Sequence, residues 1–156
     1  MLCNLAAGRL SCQSASLRPE PKCPHYAGWR ERGPTMGETE IDWRKAPLFE
    51  RSCFDRLSML PGDARRQAVT LYRQLAPARK LAMLQAAWGG QFDQLAGLAH
   101  LVKGGSGTLG LLRLAALCEM IEVKAPDAAL DPAEIAVAIE REFDAVMAQL
   151  EQLQQE

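Results

Sequence analysis

Residues 92–110 read Phe92-Asp93-Gln94-Leu95-Ala96-Gly97-Leu98-Ala99-His100-Leu101-Val102-Lys103-Gly104-Gly105-Ser106-Gly107-Thr108-Leu109-Gly110. Placed on a helix at about 100° per residue, Leu95, Leu98, Ala99 and Val102 gather within an arc of roughly 100°, the width of a stripe that packs against a core. His100 falls about 140° from Leu95 on the same wheel, so its ring points to solvent. Beside it stand Asp93, Ala96, Gly97 and Gly104, three of them with little or no side chain. A glycine inside a helix costs roughly 0.5–1 kcal/mol relative to alanine, so Gly97 and Gly104 call for a compensating use. They leave the imidazole open to the backbone of a second protein. Lys103 follows one turn later, about 4.5 Å along the axis, with its ammonium beside any anion held on the ring.

The chain on either side also reads as helices separated by short breaks. Phe49, Cys53, Phe54, Leu57 and Leu60 recur at helical spacing until Pro61-Gly62 stops them. Asp63 is the expected cap of a long segment in which Val69, Tyr72, Leu75, Leu81, Leu84 and Trp88 favour one face, with a kink at Pro77 and an end at Gly89-Gly90. A third helix is expected over about Phe92 to Gly104. A fourth runs from about Leu111 to Val123, with Leu114, Leu117, Cys118 and Ile121 inward, and ends before Pro126. Asp131-Pro132 opens a fifth, whose stripe is Ile135, Ile139, Phe143, Val146, Leu150 and Leu153. That stripe resembles a coiled-coil seam, but too few heptads sustain it, and it reads as bundle core in a monomer. No segment alternates as a strand would. Short connections between amphipathic helices give antiparallel neighbours. The expected fold is all-α: an up-and-down antiparallel four-helix bundle with a short additional N-terminal helix.

With 156 residues the chain suits one domain. Residues 1–40, with Pro19, Pro21, Pro24 and Pro34 and no periodicity, read as a disordered leader, and residues 41–156 as the helical domain. Met36 is an alternative start. Five basic residues against two acidic ones give residues 1–36 a charge of +3, leaving −4 for the rest of a chain whose formal net charge is −1. No overall field draws such a protein to nucleic acid, and Trp29 and Trp43 have no basic array beside them. Cys3, Cys12, Cys23, Cys53 and Cys118 lack C-x-x-C spacing, and Cys23-Pro24-His25 has no second ligand pair, so neither a disulfide framework nor a metal site is expected. A reducing cytoplasm suits these thiols. No apolar run reaches the ~18 residues of a membrane span, and the N-terminus lacks the pattern of a secretory signal.

An exposed nucleophile, an adjacent cation and steric clearance are what carrying a phosphoryl group requires. A free imidazole with a pKa near 6.5 is largely neutral at pH 7 and can attack phosphorus without a dedicated base, while Lys103 offsets the charge gained. No further acidic or basic catalytic group is visible nearby. On geometry alone the competing reading, a surface histidine of no consequence followed by a Gly104-Gly105 helix cap, stands equally.

The segment from His100 through Lys103, Gly104, Ser106 and Leu109 to Gly110, followed by Arg113-Leu114 and by Cys118 to Glu122, resembles the signature of the histidine-containing phosphotransfer (HPt) family, H-x-L-K-G-x-S-x-x-L-G and then R-L…C-x-x-L-E. Val102 stands for the usual Leu, Gly105 for Ser or Ala, and Ile121 for Leu. The resemblance implies that His100 is the phosphoacceptor and that Lys103 and Gly104 assist phosphate and partner. It implies a partner surface around His100 that takes in Ala96, Gly97, Leu101, Gly104 and Gly107. The partners implied are receiver domains of response regulators or hybrid histidine kinases, which bring the acceptor aspartate and its Mg²⁺; the chain itself is expected to need no cofactor. A phosphocarrier without kinase activity is expected, since no glycine-rich ATP-binding segment accompanies the bundle. The alternative is a non-catalytic helical module that binds a receiver or another signalling protein.

Overall fold

The computed structural model describes residues 42–60 and 62–153. The expected leader, the start at Met36 and the Cys23/His25 pair lie outside the described residues. A 3₁₀ turn at Trp43–Lys45 leads to α1 (Arg51–Asp55), which continues as a 3₁₀ turn over Arg56–Met59; α2 (Ala64–Trp88), α3 (Phe92–Thr108), α4 (Leu112–Lys124) and α5 (Pro132–Leu153) follow. The described residues contain no strand.

Each of the four long helices contributes an apolar stripe to one core. Leu95, Ala99 and Val102 of α3 meet Leu114, Leu117 and Ile121 of α4, while Ile139, Phe143, Val146 and Leu150 of α5 close against Met83, Ala86 and Ala87 of α2. The most extensive packing is α3 on α4, then α2 on α5, α2 on α3 and α4 on α5, so the four enclose a shared interior. Fully burying each large side chain there stabilises the fold by roughly 1.5–3 kcal/mol. The α5 stripe is spent inside the bundle and does not face a second chain. Its start is the capping arrangement expected, with Asp131 Oδ1 accepting from the backbone N–H of Ala133 and Glu134 at 2.8 and 2.9 Å.

The structure departs from the sequence reading on α2. Val69 and Tyr72 are buried, but Leu75, Leu81 and Trp88 are exposed, and the inward face is completed by Ala76, Met83, Ala86 and Ala87. Small residues let neighbouring helices approach closely, so this face is written in alanine while the larger apolar residues look outward. Pro77 lies within one continuous helical element. Asp63 occupies the cap position of α2, yet its side chain makes no capping bond and pairs with Arg66.

The third helix also runs four residues past Gly104, to Thr108. Ser106 is fully buried and its hydroxyl meets that of Tyr72 at 2.8 Å, tying α3 to α2 through its last turn. Burial raises the Tyr72 phenol to about 12. The chain reverses at Gly110, where φ is +78° and an added Cβ would lie 2.4 Å from the carbonyl oxygen of Glu50. Glu50 donates its own N–H to the Gly110 carbonyl at 2.7 Å, and its carboxylate caps α1 by accepting from Ser52 N at 3.3 Å. The last glycine of the motif is therefore a packing requirement: it seats the N-terminal segment against the α3–α4 turn. From the same turn, Arg113 Nε reaches the fully buried Glu142 Oε2 at 2.7 Å and clamps α4 to α5.

Candidate functional site

His100 sits midway along α3 with its side chain 73% exposed. The wheel reading of α3 holds on both sides, since Leu95, Ala99 and Val102 are buried opposite it. Gly97 and Gly104, one turn before and after, are exposed, and a Cβ at Gly97, Gly104 or Gly107 would meet nothing within 4 Å. Ala96 is half-buried and Leu101 exposed on the flanks of the same face. No backbone constraint demands these glycines, because all three have ordinary helical φ. What they provide is an unobstructed approach to the ring.

The structure also brings up a residue that the sequence reading left out. Glu122, on α4, places Oε2 at 3.4 Å from His100 Nδ1 and at 2.6 Å from Lys103 Nζ. Lys103 and Glu122 are largely covered, at 20% and 21% side-chain exposure. A charge pair so shielded is less screened than one in open water, and charge-assisted hydrogen bonds are roughly twice as strong as neutral ones. Lys103 is thus held by Glu122 and does not wave freely beside the ring. Glu122 closes the Cys118–Glu122 segment of the motif, and Cys118 is buried one turn before it. Burial, and then the Glu122 carboxylate, push the Cys118 thiol well above its usual range, which makes it a core residue. The signal for Glu122 was its place at the end of the motif, but its contact with His100 crosses two helices and is invisible to spacing within one.

The 3.4 Å approach is longer than a formed N–H···O bond, as acceptor sites often are before a partner is present. With the proton on Nδ1 pointed at the carboxylate, the lone pair of Nε2 faces solvent. The arrangement thus places a carboxylate beside Nδ1 and a cation one hydrogen bond beyond it. Among the described residues no group of three or more His, Cys, Asp and Glu side chains is placed to hold a metal ion, and no helix is long and apolar enough to cross a membrane.

Searches of curated proteins and of solved structures returned no match. The family profile described as "Hpt domain" matches residues 67–156, from the first turns of α2 to the end of the chain, and so takes in His100, Lys103, Glu122 and all four long helices. Hpt domains are phosphotransfer modules of phosphorelays that interact with receiver domains. With more than half of its length matched, the chain belongs to the Hpt domain family.

Proposed function

We propose that the protein is a phosphocarrier whose His100 takes a phosphoryl group from a receiver-domain aspartate and passes it to another receiver. The observation that carries this reading is the contact of Glu122 Oε2 with His100 Nδ1 on a face cleared by Gly97, Gly104 and Gly107. In the forward step the Nε2 lone pair forms a P–N bond as the P–O bond of the aspartyl phosphate breaks, and the aspartate leaves as a carboxylate. Nδ1 keeps its proton throughout and directs it as a hydrogen bond at Glu122, whose negative charge offsets the imidazolium that results. Lys103, paired with Glu122 at 2.6 Å, is assigned a share in offsetting the new phosphoryl charge. The reverse step onto a second receiver uses the same groups. The Mg²⁺ and the acid chemistry belong to the receiver, and Ala96, Leu101, Gly104 and Gly107 form the surface on which it docks.

The reading includes an up-and-down order of α2 to α5, which the short breaks at residues 89–91 and 109–111 and the pairwise packing of successive helices favour. It also includes a cytoplasmic location, the compartment in which free Cys53 and Cys118 persist. The test is to incubate the full chain with a panel of phosphorylated receiver domains. Wild type should acquire an acid-labile, base-stable label and His100→Gln none. Absence of label from every receiver, or labelling of His100→Gln, contradicts the proposal and favours a binding module without transfer.

A further inference from the structure

The outward face of α2 carries no charged residue between Leu71 and Trp88. Leu71, Gln74, Ala78, Leu81, Gln85 and Trp88 recur at alternating spacings of three and four residues, and all six are exposed. Leu71, Leu81 and Trp88 are 56%, 56% and 63% exposed, high values for side chains of this size. The flanking positions Thr70, Leu75, Pro77, Ala82 and Leu84 are uncharged as well. The cations of this stretch turn aside: Arg73 and Lys80 pair with Glu151 and Asp144 of α5, and Arg79 leans over Gly105 of α3. An exposed seam of about 26 Å without one charge is what a helical interface looks like before it is covered.

The order of residues along the seam says what covers it. Leu71 and Trp88, Gln74 and Gln85, and Ala78 and Leu81 are placed symmetrically about the midpoint between Arg79 and Lys80. In an antiparallel pair of identical helices, each position faces its mirror position. Leu71 of one copy then packs on Trp88 of the other, Ala78 receives Leu81, and the amides of Gln74 and Gln85 meet and hydrogen-bond. Leucine meets tryptophan at each end, alanine meets leucine at the centre and amide meets amide between them, with no charged residue among the opposed positions. A parallel pair would set Trp88 against Trp88 and Ala78 against Ala78, crowding one end and leaving a gap in the middle. We infer that two copies of this chain associate through the outward face of α2, as an antiparallel, two-fold symmetric pair centred between Arg79 and Lys80.

An isologous contact of this kind closes on itself and does not propagate. The helix is already held by the bundle, so pairing costs little ordering. A single helix pair is a small contact beside the ~1,200–2,000 Å² that stable interfaces bury, so the dimer should be concentration-dependent. The α3 side of α2 is marked by the Tyr72–Ser106 contact and its α5 side by the Lys80–Asp144 pair, and the seam faces away from both. Pairing therefore leaves His100 uncovered. The inferred dimer differs from the monomer expected from sequence.

The test is sedimentation velocity on the full chain from about 1 to 500 µM, with circular dichroism as the control for folding. Wild type should move from monomer to dimer across this range. Leu81→Glu, at an exposed position, should keep its helicity and its rate of phosphoryl uptake while weakening association at least roughly tenfold, because each dimer would bury two carboxylates. For orientation, Cys3, Cys12 and Cys23 are changed to Ser, and Gln74→Cys and Gln85→Cys proteins are oxidised separately and as a mixture. The mixture should crosslink well above either alone, since 74 and 74 would stand about 16 Å apart, beyond disulfide reach. A monomer at every concentration, a dimer unaffected by Leu81→Glu, or crosslinking of either protein alone as fast as the mixture each overturns the inference.

Discussion

Changing glycine to alanine at positions 110 and 104 should move stability in opposite directions, for reasons written in the backbone. At Gly110, φ is +78°, where an L-residue pays roughly 1–2 kcal/mol. The new Cβ would also stand 2.4 Å from Glu50 O and 3.2 Å from Cys53 Cβ, so the N-terminal segment must retreat. Retreat stretches the 2.7 Å bond from Glu50 N to Gly110 O, worth about 1 kcal/mol. Together these give a loss of about 3 kcal/mol, or about 10–15 °C in Tm for a domain of this size. At Gly104 the Cβ meets nothing and the backbone is helical, so alanine should gain roughly 0.5–1 kcal/mol. The gain carries a functional loss, because the methyl group stands on the approach to His100, and phosphoryl uptake should slow several-fold. The assay is thermal and urea unfolding followed by circular dichroism, paired with label uptake from a phosphorylated receiver. If Gly110→Ala is as stable as wild type, or Gly104→Ala falls as far, the assignment of the two glycines to packing and to access is wrong.

Other expectations follow from the same contacts. Glu122→Leu should slow transfer at least about tenfold, and Glu122→Gln less, because the amide oxygen still accepts from Nδ1; equal rates for Glu122→Leu and wild type would remove Glu122 from the site. Lys103→Ala should transfer more slowly with an intact fold, and an unchanged rate across the receiver panel would reject its role. Arg113→Met leaves the buried carboxylate of Glu142 with only Arg141 Nε, 3.8 Å from Oε1, and should cost about 3 kcal/mol in urea unfolding, with Arg113→Met/Glu142→Leu recovering most of it. Tyr72 is held protonated in the fold, with its phenol raised from 10.0 to about 12, so its contribution is present at neutral pH and lost as pH rises through that interval. Absorbance at alkaline pH should show a late-ionising phenol that Tyr72→Phe abolishes; full ionisation of wild type near pH 10 with the fold intact would contradict the burial.

Where large side chains carry the burial, the sequence was readable: the α5 stripe from Ile135 to Leu150 and the α4 set of Leu114, Leu117, Cys118 and Ile121 are all inside. On α2 the rule of size misled, because close packing selected Ala76, Ala86 and Ala87 for the interior and left Leu81 and Trp88 to the surface. Gly104-Gly105 looked like a helix end, but the Tyr72–Ser106 contact carries α3 through it, and the turn falls at Gly110 where only a glycine fits. At the site, helical periodicity sufficed to aim His100 outward and to set Lys103 near it. Glu122 could not be found that way: its distance to His100 depends on how α4 lies against α3, a tertiary fact.

Function turns on which residue carries the phosphoryl group. The chain has two histidines, His25 and His100, and trypsin releases the second in the peptide Leu81–Lys103. Mass spectrometric mapping, at neutral pH, of protein labelled by a phosphorylated receiver should find the added phosphoryl group in that peptide and assign it to His100. A phosphoryl group on His25, or on any serine, threonine or aspartate in place of His100, would contradict it.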